Sequence, residues 1–402
     1  MKTRAALTFV LITIVIDAMG IGLILPVMPD LIQEVTGDTL ANAALWGGVL
    51  TTSFAVMQFL FSPTLGNLSD RYGRRPVILI SIAVMSIDYL VMAVAGTIWL
   101  LLLGRIVGGI TAATQSTAAA FIADISKPEE KAARFGLVGA AFGAGFVLGP
   151  VVGGLLAEFG TRAPFYAAAA LSAANLVFGY LVLPETVTDR IRRPFQWTRA
   201  NPLGALKEIQ KIPEIARLAM LFFVYQVAFT VYPAIWAYYT TASFNWAPAT
   251  IGASLAAFGI SMAIVQGILI GPMLKLVGDQ ALVVYGMVFN FFAFIALAIT
   301  TVGWIALILT PLTALGAVVN PALQGRMSRM VDDDAQGELQ GVLTSAAALA
   351  MVVSPLVMTF VFSAFTAPGG SLFFPGAPFV VSASLMVVCL ALFLGSRPAT
   401  VS

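Results

Sequence analysis

The sequence predicts an all-α membrane protein: twelve transmembrane helices arranged as two pseudo-symmetric six-helix bundles. Three observations predict it. Apolar residues dominate the chain. Its basic residues fall almost entirely in alternate connections. Its second half repeats spaced features of the first at one constant offset.

Composition comes first. Of 402 residues, 59% are hydrophobic and 10% charged, against about 25% charged in soluble domains, and the mean hydropathy is +0.96. A bilayer-spanning helix needs roughly 20 apolar residues. With a connection, each span uses about 30–35 residues, so the length fits about twelve. Apolar runs place spans near 6–28, 44–66, 76–96, 99–123, 134–158 and 164–183, then near 214–240, 249–271, 281–300, 303–326, 338–363 and 375–395. Lys2 and Arg4 precede a first run that continues to about Met28. That run is longer than the core of a secretory signal, so it reads as a retained span.

Charge orients these spans. The connections after spans one, three, five, seven, nine and eleven hold a single basic residue, Arg162. The opposite connections hold Arg71, Arg74, Arg75, Lys127, Lys131, Arg134, Arg190, Arg192, Arg193, Arg199, Lys207, Lys211, Lys275, Arg326 and Arg329. By the positive-inside rule those are cytoplasmic, which puts both termini in the cytoplasm and requires an even number of spans. The expected location is the plasma (inner) membrane.

The repeat divides the spans. Gly66 and Gly73 recur as Gly271 and Gly278, Trp99 as Trp304, and Gly136 and Pro150 as Gly341 and Pro355, each pair 205 residues apart. We therefore expect an N-terminal six-helix bundle at 1–183, a polar cytoplasmic linker at 184–213 and a C-terminal six-helix bundle at 214–402. Within the linker, Pro202–Ile209 has the composition of a short surface helix. Parallel halves with substrate held at mid-membrane between them are a known transporter plan.

Some functions are set aside by absence. Net charge is +2, so no bulk attraction to nucleic acid is expected. Cys389 is the only cysteine and excludes an internal disulfide. No histidine occurs, which removes the commonest metal ligand and the usual neutral-pH proton shuttle. We expect no metal, no cofactor and no enzyme activity, and a monomer whose partners are the lipid bilayer, protons and a small-molecule substrate.

The candidate functional residues fall into four groups. The first is the loop after span two, Gly66-Asn67-Leu68-Ser69-Asp70-Arg71-Tyr72-Gly73-Arg74-Arg75. Its glycines allow close approach and tight turning, and Asp70 is placed to accept from arginines or to cap a helix. Positive-inside anchoring explains the arginines but not the Asp and the glycines. A charged cytoplasmic gate that locks and releases explains all of them. In the second half only Gly271 and Gly278 are retained, with Lys275 where Asp70 stands, so the clasp reads as asymmetric.

The second group is span five, whose Gly145, Gly149, Pro150, Gly153 and Gly154 have the small-residue spacing of backbone-to-backbone packing. The third is the set of ionisable residues within spans: Asp17, Asp88 and Arg105. Charge in hydrocarbon is costly, so such residues are functional candidates. A carboxylate alternating between a proton and a guanidinium couples protons to transport; a static salt bridge fixing helix register is the competing reading. The fourth group is polar and aromatic. Gln58, Gln115, Tyr225, Gln226, Tyr232, Trp236, Gln266, Asn290, Asn320 and Gln324 suit a cavity for a bulky, partly apolar ligand, and Tyr238, Tyr239 and Trp246 suit an interfacial aromatic belt.

The ten-residue loop resembles the signature of the major facilitator superfamily. The Gly-Pro-x-x-Gly-Gly run of span five is similar to the motif of that superfamily's proton-coupled drug exporters. Ile16–Leu23, Ser69–Pro76, Ser86–Leu90, Leu103–Arg105, Pro321–Gln324 and Gln336–Gly341 together resemble the tetracycline/proton antiporters over most of the chain. The resemblance implies that Asp17, Asp88 and Arg105 serve the transport path, and that Asp124 joins the gate by pairing with Arg74. Two departures fall in the second half. Asn290 stands where those antiporters carry an acid, and Met262 where many carry a histidine; Gln266 is retained. Proton coupling is then expected to use the first half.

The function expected is secondary active export, in exchange for protons, of a small amphipathic compound: a drug or metabolite, tetracycline-like or otherwise, as in multidrug efflux and antibiotic resistance. An importer of a small metabolite is the competing transport reading. A non-transporting receptor or scaffold is the competing class, and it leaves two quasi-equivalent halves with intramembrane charges unexplained.

Overall fold

The computed structural model describes residues 2–112, 114–188, 192, 195, 213–332, 336–370 and 372–395, with the backbone alone at 2–5, 115, 128, 129, 132, 213, 214 and 337. The surface helix expected at Pro202–Ile209, and the linker basic residues Arg190, Arg193, Arg199, Lys207 and Lys211, lie outside these residues, as does the side chain of Gln115.

The chain is an all-helical membrane protein. Among the described residues, eleven stretches are long and apolar enough to cross a bilayer: Ala6–Ile24, Leu40–Tyr72, Arg74–Val94, Ile98–Ile125, Ala133–Phe159, Ala163–Val182, Ile215–Phe244, Pro248–Ile299, Gly303–Ser328, Glu338–Thr366 and Ala377–Leu394. One of them, Pro248–Ile299, runs for 52 residues. At 1.5 Å per residue that is far longer than a hydrocarbon core of about 30 Å. It divides at Gly278, whose φ of 76° and ψ of 170° no helix accommodates, and so supplies spans eight and nine. The twelve expected spans are thereby accounted for.

Local chemistry sets the ends. Gly73, with φ 115°, stops span two and starts span three. Thr97 caps span four, its hydroxyl accepting from the Leu100 amide at 3.4 Å. Span one stops at Ile24, short of the expected Met28, because Pro26 lies in the following turn. A short amphipathic helix then forms over Met28–Thr36, closed by Gly37 in the left-handed region at φ 68°. Several spans are not continuous α-helix. Span four breaks at Ala112, span seven at Thr230, span eight widens into a π-turn over Val265–Leu269, and span ten tightens to 3₁₀ over Ala314–Val318.

The chain forms two compact units. One comprises Met1–Asp38, Ser53–Pro202 and Trp246–Ala256; the other Thr39–Thr52, Leu203–Asn245 and Ala257–Ser402. In the first, span one packs most extensively on span five and span three on span six. In the second, span seven packs on span eleven and span nine on span twelve. These are the same partnerships at the repeat offset. Each unit also takes in one segment from the other half of the sequence. Thr52 donates to the Val352 carbonyl at 3.0 Å in the second unit. In the first unit, Gly154 abuts Pro248 and Ala249 so closely that a Cβ on it would lie 2.6 Å from the Pro248 oxygen.

Large apolar side chains remain on the surface, among them Ile87, Leu181, Phe292, Phe360 and Leu394, as a lipid-facing exterior requires. Trp99 and Trp304, a pair at the repeat offset, are 67% and 66% exposed. Of the belt expected from Tyr238, Tyr239 and Trp246, the two tyrosines lie inside the bundle instead, while Trp246 is half-buried. Tyr238 and Tyr239 are buried, with the Tyr239 hydroxyl donating to the Leu297 carbonyl at 2.6 Å, because their ring edges and hydroxyls find partners inside the bundle.

Candidate functional site: a buried ion pair and a loop clasp

Span five shows what its glycines are for. Gly145, Gly149 and Gly153 recur every four residues and so share one helix face. They meet Val15, Met19 and Leu23, at the same spacing on span one. A Cβ on Gly149 would lie 2.6 Å from the Met19 carbonyl oxygen, and one on Gly145 or Gly153 would overlap the carbonyls of Val15 or Leu23. The backbones touch, and only glycine permits it.

That contact holds span one, and Asp17 with it, beside span three. Asp17 is half-buried. One turn later the backbone of Gly20 receives the Tyr89 phenol, which a side chain there would displace. Tyr89 and Asp88 are consecutive on span three, so they point about 100° apart. Tyr89 turns to span one and Asp88 to span four.

Asp88 and Arg105 form a direct ion pair, carboxylate oxygen to guanidinium. Asp88 is 3% exposed and Arg105 7%. Gly104 and Gly108, on the Arg105 helix, make room for the carboxylate: a Cβ at either would come within 2.7 or 2.8 Å of its oxygens. The guanidinium also lies over the Phe54 ring, 5.0 Å from its centre. The second carboxylate oxygen of Asp88 and the Nε of Arg105 are buried without a partner. The pair is charge-balanced but incompletely hydrogen-bonded, an arrangement that water or a proton completes at small rearrangement. Elsewhere in this unit, Gln58 donates to the Ala112 carbonyl at the break in span four, and Thr13 donates to Asn175 at 3.2 Å.

The loop after span two is a clasp of charges. Arg74 is its centre. It bonds Asp70 at 2.5 Å and Asp124 at 3.2 Å, and donates to the Ser69 hydroxyl at 2.6 Å. Ser69 in turn donates to the Gly66 carbonyl. Asp124 also accepts from the Thr186 hydroxyl. Arg75 donates to the Tyr180 carbonyl and lies over that ring, while Arg71 is exposed above Tyr72. Sequence reading missed one member, Glu185, in the stretch expected as linker. Its carboxylate accepts from the amides of Arg74 at 2.9 Å and Arg75 at 3.2 Å, and from Thr186 and Val187. It sits on the N-terminus of span three, where unpaired amides and the helix dipole favour an anion. Gly73 leaves the space: a Cβ there would collide with this carboxylate. The signal for Glu185 was an acid immediately after an apolar span, which has no spacing of its own.

In the second unit, several of the polar and aromatic residues expected to line a cavity are buried. Tyr225, Tyr232 and Trp236 are 1%, 4% and 2% exposed. They pack into an aromatic interior with Phe229, Phe258, Phe294 and Phe379. Asn290 is fully buried and donates to the Gly316 carbonyl at 3.0 Å, tying span nine to the 3₁₀ turn of span ten. Gln324 donates to Asn320 one turn away, and Gln226 is half-buried. Gln266 is exposed, on the π-turn of span eight. Buried aromatic area is a stronger driving force than cavity lining in a helix bundle, and residue type alone does not separate the two.

Twelve spans, two equivalent helix arrangements and an ion pair buried within one of them define the class: a secondary transporter. The chain belongs to the major facilitator superfamily, whose family model matches residues 10–241 and 218–402. It is 40% identical over 391 residues to the class C tetracycline resistance protein of Escherichia coli, covering 97% of this chain and 96% of that one. It is 34% identical to the class B protein of the same organism, over 90% and 88% of the two chains. The fold matches the solved structures of the nucleoside transporter NupG (TM-score 0.79, 14% identity, 97% and 100% coverage) and the human organic anion transporter MFSD10 (TM-score 0.70, 23% identity, 98% and 100% coverage). A transporter of this family acts on a small molecule and is not an enzyme.

Proposed function

We propose that this protein exports a small amphipathic compound, of the tetracycline type or related to it, in exchange for protons. The observation that carries the reading is the Asp88–Arg105 pair, buried mid-span on a chain 40% identical to a tetracycline resistance protein. Asp17, reached through Tyr89, is the acid that exchanges protons. Asp88 and Arg105 hold the helices on which that exchange acts. Both termini lie in the cytoplasm and the protein resides in the inner membrane, working as a monomer, without nucleic acid, through two six-helix halves at 1–183 and 214–402 joined by 184–213. The loop centred on Arg74, with Gly66, Asp70, Arg71, Gly73, Arg75 and Asp124, is the cytoplasmic gate. Gly145, Gly149, Pro150, Gly153 and Gly154 seat span one and keep the export direction. The second half adds no proton carrier, since the Asn290 amide does not titrate and is occupied by Gly316. Substrate meets Gln58, Gln115, Gln266, Asn320 and Gln324.

The test uses inside-out vesicles with an imposed proton gradient and a pH-sensitive dye. Tetracyclines and other amphipathic drugs are expected to dissipate the gradient with the wild type, and not with Asp17→Asn. If no compound does so with the wild type, or if Asp17→Asn couples as well as wild type, the export reading fails.

A further inference from the structure

The loop after span eight looks like a degraded copy of the loop after span two, because the acid of the first is a lysine in the second. Its geometry says otherwise. At the repeat offset, Asp70, Arg74 and Asp124 correspond to Lys275, Asp279 and Arg329. Each position keeps a charge and reverses its sign: minus, plus, minus becomes plus, minus, plus. Charged residues are 10% of the chain, so composition does not account for three matched charged positions, all inverted.

One contact of the clasp inverts with the signs. Asp279 bonds Arg329 at 2.5 Å, as Arg74 bonds Asp124 at 3.2 Å. The backbone before the central residue is alike. Gly278 has φ 76° and ψ 170°, and Gly73 has φ 115° and ψ 152°. In both units a glycine outside the helical region starts a span, the next residue carries the central charge, and the opposite charge comes from the end of the following span. Arg326 adds a second guanidinium, 3.8 Å from Asp279 and resting over the Phe393 ring of span twelve. One difference is informative. Glu185 fills the space beside Gly73, whereas nothing lies within 4 Å of a Cβ on Gly278. Asp279 caps the new helix itself, accepting from the Gln280 amide at 2.8 Å.

A pair this open is a poor structural bond. Arg329 is 63% exposed and Asp279 28%, and exposed pairs contribute little to stability. Sign reversal is what an ion pair tolerates and an anchoring role does not, since basic residues alone satisfy the positive-inside rule. We propose that Asp279, Arg329 and Arg326 form a second gate clasp of reversed polarity. It latches the start of span nine to the end of span ten and is released during turnover. The proposal rests on the transport reading above.

The test is a charge-swap cycle, with the buried Cys389 replaced by serine and Met327→Cys, fully buried two residues before Arg329, as a reporter. Labelling of that cysteine by an impermeant maleimide in inside-out vesicles reads the latch without any substrate. Drug-driven proton flux reads turnover. Asp279→Arg and Arg329→Asp are each expected to speed labelling about tenfold and slow flux about tenfold at unchanged expression and drug KM. The double variant restores both. Labelling that is unchanged in the singles, or not restored in the double, overturns the latch. Altered labelling with normal flux overturns its part in turnover. A wild type that moves protons with no drug sinks the export reading instead, while the labelling cycle still decides the latch.

Discussion

Removing one charge of the Asp88–Arg105 pair is expected to harm the protein more than removing both. In Asp88→Asn, the Arg105 guanidinium stays 7% exposed with its Nε already unpartnered, and it faces a neutral amide and the Phe54 ring in place of a countercharge. Breaking a buried pair on one side costs about 3–5 kcal/mol, a factor of roughly one hundred to a few thousand in a folding equilibrium at about 1.4 kcal/mol per decade. Asp88→Asn/Arg105→Gln leaves two neutral amides of similar size in the cradle formed by Gly104 and Gly108, and replacing a buried pair in this way is often close to neutral. With each single costing about 3–5 kcal/mol and the double near zero, the cycle shows a coupling of about 6–10 kcal/mol, far above the few tenths expected of independent sites. The measurement is the half-life of the solubilised protein at a fixed elevated temperature, a rate being the appropriate quantity for a protein that unfolds irreversibly. The double should outlast both singles yet fail to couple protons in vesicles. A double as short-lived as the sum of the singles would refute the account, since the charges would then not be what the site balances.

Three further outcomes follow from the same structure. Gly153→Val should separate spans one and five, because a side chain there overlaps the Leu23 carbonyl; overpacking of about 1–3 kcal/mol predicts shorter thermal half-life and reduced surface yield, with Gly139→Ala, in open space, as the harmless control. Glu185→Ala removes an anion from the N-terminus of span three, a loss of about 1 kcal/mol by analogy with helix caps, and should leave drug binding intact while slowing turnover; Glu185→Gln should recover part of it. Burial in the short helix after span one holds the Asp30 carboxyl above its usual range. The folded state therefore binds its proton more tightly than the unfolded state does, so Asp30 stabilises below its ordinary pKa and this stabilisation is lost as pH rises through the raised value. Asp30→Asn should flatten the fall in melting temperature over that window and leave the low-pH value unchanged.

Much of the fold was legible because its causes are local. A run of twenty apolar residues determines a span whatever surrounds it, and Gly73 and Gly278 interrupt helices through their own backbone torsions. The short helix at Met28–Thr36 was missed because nine residues beside a long apolar run leave no separate periodicity. The site was legible only in part. Asp17, Asp88 and Arg105 stood out because charge is rare in hydrocarbon. Tyr225, Tyr232, Trp236 and Asn290 have the chemistry of a ligand cavity, and residue type alone did not show that they are buried.

Sequence alone determined that the chain lies in a bilayer, how many times it crosses and that its halves are copies, since hydropathy, charge bias and the constant offset are sums over residues or spacings between them. Tertiary structure decided which charges meet. Asp88 faces Arg105 because two glycines stand a turn apart on the opposing helix. Glu185 reaches span three across more than a hundred residues of chain. Lys275 looked like the loss of a motif, and the bond between Asp279 and Arg329 shows that the neighbouring pair persists with its signs reversed. An ion pair depends on the product of two charges, which is unchanged when both reverse. A motif read one residue at a time cannot register that.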